Sequence, residues 1–233
     1  MAALLFDSNA RPDASAVAGL AASSAGFAIT HDGGVDGWLE VLLDGLTFDI
    51  AGLAPARVAA PVPSAHSVGL PKDFNESAMA AVSIAPGPHL AGAQHLLPVV
   101  RVMSALVAQL STLPDVRAVA WMPARLAVSP AWFNEAVGVW LNGGPFPVLA
   151  LTALTRSDAA FHSDGLAFFT GQEFTLNGKG GRLGETDSRL AIRLTDWLVA
   201  HGAVDVAQEV VLGGTGAVWL QPDGAGHLIA TPC

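Results

Sequence analysis

Apolar and polar positions along this chain follow two periods, and the stretch 78–155 carries both most clearly. Residues 78–85 form a short apolar run stopped by Pro86, Gly87 and Pro88, the pattern of a buried strand. Over 90–113, Leu96, Val99, Val100, Met103, Val107 and Leu110 recur at helical spacing and make one apolar stripe, with Arg101, Ser104 and Gln109 off it. Pro98 marks an early turn of that helix, and Pro114 and Asp115 end it. Residues 116–121 are a second buried strand. Ser129 and Pro130 then open a helix, as N-cap and first helical residue, that stops at Asn142, Gly143 and Gly144. Residues 147–155 read as a third strand. Strands apolar along their length are covered on both faces, and two of them joined by a helix run parallel.

The flanks are richer in strands. Residues 2–6 and 27–30 read as strands, separated by a small-residue helix that starts at Pro12 and Asp13 and ends near Gly26. Residues 38–43 and 46–51 flank Asp44 and Gly45, a strong hairpin signal. A two-residue turn fixes the pairing. Leu43 faces Leu46, Val41 faces Phe48 and Leu39 faces Ile50 on one side; Glu40 faces Asp49 on the other. Pro55, Pro61, Pro63 and Pro71 make 55–77 a surface loop holding His66. Residues 165–176 read as a strand and a bend, and the glycine-rich stretch 177–184 as a mobile connection. Residues 185–201 form an amphipathic helix capped by Gly202, and 210–212, 217–221 and 227–230 form a meander.

The fold class expected is α+β, with a mixed β-sheet whose β-α-β units pack against helices. Two ferredoxin-like halves sharing a core and a single mixed sheet both fit that pattern. The chain reads as one globular domain, 1–233, with a strand-rich part at 1–77 and the β-α-β-α-β core, helix and meander at 78–233 as the subdivision.

Composition narrows the function more than it names one. Of 233 residues, 52% are hydrophobic and 13% charged, well under the usual charged share of roughly 25%. So sparse a charged surface points to faces covered by a second copy of the chain or another protein. The net charge is −9 and Lys and Arg nowhere cluster, which argues against nucleic acid and anionic membranes. His95, Pro98, Arg101 and Gln109 interrupt 90–113, so that segment reads as a core helix and not a membrane span. The single cysteine, Cys233, and an opening stretch without a basic region lead us to expect a reducing cytoplasm.

Chemistry-bearing motifs are missing. There is no G-x-S-x-G, H-E-x-x-H, C-x-x-C or phosphate-loop order, and the glycines at 213–216 do not open a helix. No catalytic residue and no cofactor is therefore expected, and no metal, although Glu40 and Asp49 could share a proton or an ion. Polar residues do stand at or soon after the ends of apolar strands: Trp121, Arg125, Arg156, His162 and Glu173. Ligands of sheets with parallel strands bind beyond the carboxyl ends of those strands, so these five are the candidate cleft.

Three stretches also carry a resemblance: VRAVAWMPA at 116–124, VSPAWF at 128–133 and DGLAFFTGQEF at 164–174. There the chain resembles the uncharacterised bacterial domain-of-unknown-function family number 4261, with Trp121, Ser129, Phe133, Gly165, Leu166, Phe169, Gly171 and Glu173 in that family's pattern. Ala131, Trp132 and Gln172 stand where the family has Glu and Pro. The resemblance implies no activity. The expected function is a non-enzymatic module that binds another protein or its own copy. The alternatives are a small-ligand sensor, or a hydrolase or transferase built at the strand ends around His162 and Glu173.

Overall fold

The computed structural model describes residues 1–24 and 26–233. The chain is α+β and divides into two units, Met1–Gly144 and Pro145–Cys233, each with its own sheet. The division falls at Gly144, not at 77, because the early strands pair with strands made after residue 78.

In the first unit the order along the chain is β1 (Ala2–Asp7), α1 (Ala14–Ser24), β2 (Ala28–Asp32), β3 (Trp38–Leu43), β4 (Leu46–Ala51), β5 (His66–Val68), β6 (Met79–Pro86), α2 (Leu97–Leu110), β7 (Val116–Trp121), β8 (Leu126–Val128) and α3 (Pro130–Leu141). The sheet order is β2-β3-β4-β6-β1-β7-β8-β5. Strand β1 pairs antiparallel with both β6 and β7, so those two run parallel to each other with β1 inserted between them. This is a split β-α-β unit, with α2 as the connection. The expected parallel relation holds, with a third strand between the two.

The hairpin forms in the register that its turn dictates, with Leu43 opposite Leu46, Val41 opposite Phe48, Leu39 opposite Ile50 and Glu40 opposite Asp49. Asp44 and Gly45 both take positive φ, 49° and 81°, as a type I′ turn requires. Register then carries one line of side chains across six strands: Leu39, Ile50, Ile84, Ala2, Trp121 and Leu126. All six are buried, and α2 and α3 pack over this face of the sheet. The opposite face is lined with small residues, Ala3, Ala81, Ala118 and Ala120 beside Leu5, and Leu70, Phe74 and Met79 cover it. The guanidinium of Arg11 fixes the chain entering the 55–77 segment, donating to the carbonyls of Gly52 at 2.6 Å and Ala56 at 2.8 Å.

Several expectations need correction here. The helix read over 90–113 is Leu97–Leu110, with Pro98 in its first turn. It is buried more widely than its stripe, since Ser104 and Leu106 are also fully enclosed. The 55–77 loop holds a short strand, β5, which pairs parallel with β8. Three residues between prolines are too few to show a strand period. The first helix ends at Ser24, and Ala25 lies outside the described residues. Ser129 caps α3 as its sequence predicts, its hydroxyl accepting from the Trp132 backbone N–H, with Pro130 in the first turn.

The second unit continues with α4 (Val148–Leu151), β9 (Ala153–Arg156), β10 (Ala160–Asp164), α5 (Ala167–Thr170), β11 (Glu173–Asn177), α6 (Asp187–His201), β12 (Gln208–Leu212), β13 (Gly216–Pro222) and β14 (His227–Pro232). Its sheet order is β12-β13-β14-β11-β10-β9, with β11 and β14 parallel and the other pairs antiparallel. The stretch 147–155 is thus a turn of helix followed by a strand, because a short apolar run does not distinguish the two. Residues 165–176 likewise contain α5 where a bend was expected. Leu190, Ala191, Leu194, Leu198 and Val199 of α6 are buried, as are Phe161, Phe174, Leu176, Val210, Leu212, Val218, Leu220, Leu228 and Ala230 from the sheet.

Among the described residues no helix is long and apolar enough to cross a membrane.

Candidate functional site

Alternation builds the candidate surface. In β11 and β14 every second residue enters the core, so Phe174, Leu176, Leu228 and Ala230 are enclosed. The residues between them, Glu173, Thr175, His227 and Ile229, therefore share the other face. Pairing extends that face to His162 and Thr155 on one side, since His162 sits opposite Thr175 and also opposite Thr155. On the other side it reaches Gln221, Trp219 and Glu209 through β13 and β12. This face is open. Val211 is 76% exposed, Trp219 43% and Ile229 36%, so three large apolar side chains stand in solvent on one sheet surface.

A polar row lies beside them. The Thr175 hydroxyl is 3.1 Å from His162 Nδ1 and 2.8 Å from His227 Nε2. A hydroxyl has one proton, so Thr175 can donate to one ring while it accepts from the other. The turn before His227 is fixed by Asp223, which accepts from the backbone N–H groups of Ala225 at 2.7 Å and His227 at 3.0 Å. Those two bonds, that of Ala225 first, hold the Asp223 carboxyl below the ordinary aspartate range.

Glu173 is occupied with structure. Its Oε2 accepts from the Ser163 hydroxyl at 2.5 Å and its Oε1 from the Ala167 N–H at 2.9 Å, which ties the start of α5 to β11. Beside it, the Gln172 side chain clamps Val204, donating to its carbonyl at 3.1 Å and accepting from its N–H at 2.8 Å.

The five residues predicted from sequence to line a cleft are shared between the two units. Trp121 and Arg125 belong to the first unit; Arg156, His162 and Glu173 belong to the second. Trp121 is fully buried on the helix-covered face, opposite Ala2 and Leu126. It is the last residue of an apolar strand that is buried on both faces over 118–121. Arg125 is exposed and takes a left-handed conformation, φ 46°, at the end of a short turn, where its carbonyl accepts from Ala65 and His66. Arg156 is exposed at the end of β9. His162 and Glu173 share a sheet, yet each is bonded to other partners. Sequence reading passed over Thr175, His227 and Trp219. The alternating patterns of 173–177, 216–222 and 227–231 were the signal that would have placed them on one face.

Glu40 and Asp49 do face each other, as the turn predicted. Thr30 donates to Glu40 Oε1 at 2.6 Å. Among the described residues no group of three or more His, Cys, Asp and Glu side chains is arranged to hold a metal ion. Two carboxylates alone would leave a divalent ion most of its oxygen shell to find in water.

Comparison with protein-family models, with curated proteins and with solved structures returns no match.

Proposed function

We propose that this chain is a non-enzymatic self-interaction module, and that its second unit supplies the contact. One observation supports this reading above all: Val211, Trp219 and Ile229 stand exposed together on an open sheet face of a chain with 13% charged residues. Exposed apolar side chains on one surface favour association over solvation. Sedimentation velocity across a wide concentration range tests the reading. A concentration-dependent shift toward a dimer supports it; a monomer throughout defeats it.

A second reading rests on the His162–Thr175–His227 row, which offers a small polar ligand three hydrogen-bonding groups on one surface. A thermal-shift screen of metabolites separates it from self-association.

We also propose a cytoplasmic location, in keeping with a lone cysteine at position 233. The split β-α-β arrangement of the first unit favours a ferredoxin-like ancestry for that half. The stretches 116–124, 128–133 and 164–174 favour kinship with the bacterial family 4261.

A further inference from the structure

Four strands end the two sheets: β2 and β5 in the first, β9 and β12 in the second. An end strand presents unpaired N–H and C=O groups, and proteins blunt such edges with bulges, prolines, cations or short length. Three of the four are blunted. Strand β2 has an irregular register between Ile29 and His31. Strand β5 is three residues long, with Pro61, Pro63 and Pro71 on either side. Strand β9 is four residues long and closes on Arg156. Of the devices that guard an edge, β12 carries only one charged side chain, Glu209, and no cation. It runs five residues in regular register with β13, holds no Pro, Lys or Arg, and exposes Glu209 and Val211.

We infer that β12 pairs with β12 of a second copy, antiparallel about a two-fold axis at Val210, joining two six-stranded sheets into one. This rests on the self-interaction reading above in taking a second copy as the partner, and it places the contact at the sheet edge, where only Val211 of the three exposed apolar side chains meets the other chain. Three features of β12 select the register. Centring on Val210 sets Gln208 opposite Leu212 and Glu209 opposite Val211 of the other copy, so all five residues find partners. It keeps Val210 and Leu212, which face the core, on the core side of both sheets, while Glu209 and Val211 stay on the open side. It also avoids the head-on Glu209–Glu209 pair that centring on Glu209 would create. Each Glu209 then lies between Trp219 of its own chain and Val211 of the other. The partner is thus a second copy of this chain, matched by an edge complementary to itself.

The test uses the full chain and equilibrium sedimentation, with circular dichroism to verify each fold. Val211→Glu sets two pairs of carboxylates against each other across the axis and should weaken dimerisation by about tenfold or more. Adding Glu209→Lys to that variant sets Lys opposite Glu and should restore the dimer. Ile229→Glu, on the open face but two strands away from the edge, should leave the dimer intact. A monomeric wild type would defeat the self-interaction reading and this pairing with it. A wild-type dimer that ignores Val211→Glu, that Glu209→Lys fails to rescue, or that Ile229→Glu dissolves would overturn the edge pairing alone.

Discussion

Glu40 and Asp49 stand directly opposite each other on β3 and β4, and the two carboxylates are served unequally. Glu40 Oε1 receives the Thr30 hydroxyl, whereas Asp49 Oδ1 is buried with no hydrogen-bond partner among the described residues. Like charges directly opposed on a sheet cost roughly 0.2–1 kcal/mol. Replacing Asp49 with Asn removes one of them and supplies a donor. Asp49→Asn should therefore raise the urea midpoint by an amount equivalent to about 0.5 kcal/mol, and added salt should shrink the gain. If the pair instead held a divalent ion, the same substitution would lower stability in its presence.

Trp121 belongs to the core, and its removal should register as a core change. Trp121→Ala is expected to cost about 3–5 kcal/mol, as large aromatic truncations do. Denaturant unfolding followed by circular dichroism measures it. A loss well under 1 kcal/mol would mean that the indole is not enclosed between Ala2 and Leu126.

Ser104 supplies a prediction of opposite sign. It is fully buried on α2, and its hydroxyl has no hydrogen-bond partner among the described residues. A buried polar group without a partner keeps its desolvation cost, and alanine is the better helix former. Ser104→Ala should stabilise the first unit by about 1 kcal/mol. An equal loss would reveal a bonded hydroxyl.

Asp223 links stability to acid. Its carboxyl is depressed from 3.8 by the N–H groups of Ala225 and His227. A carboxyl with a lowered folded pKa stabilises above its ordinary value and loses that contribution as pH falls through the folded value. Asp223→Ala should melt below the wild type at neutral pH, and the two melting curves should converge as pH drops below the ordinary aspartate range. A gap that persists into strong acid would assign the effect to turn geometry alone.

How far the sequence could be read depends on how local each decision was. The 43–46 hairpin was legible to the residue because a two-residue turn leaves one register. The cap at Ser129 and the stop at Gly202 were legible for the same reason: each is settled by neighbours in sequence. The α2 stripe announced a core helix, although its buried arc proved wide enough to enclose Ser104. Strand order was not legible. Nothing in residues 2–7 says that they separate β6 from β7, since that choice is made by partners far along the chain. Which strand-end residues share a face was not legible for a related reason. Trp121 and His162 both fall near strand ends in sequence, but the pleat sends the indole inward and the imidazole outward, and they belong to different sheets. The row through Thr175 depends on β10, β11 and β14 meeting side by side, which only the assembled sheet decides.

The place of β1 has a consequence for synthesis on the ribosome. Residues 2–7 are translated before both of their sheet neighbours, Met79–Pro86 and Val116–Trp121, which emerge far later. An apolar ribbon at the middle of the finished sheet must wait without its flanks until the nascent chain has passed Trp121. Pairings so distant in sequence slow folding and leave the waiting segment open to capture by chaperones.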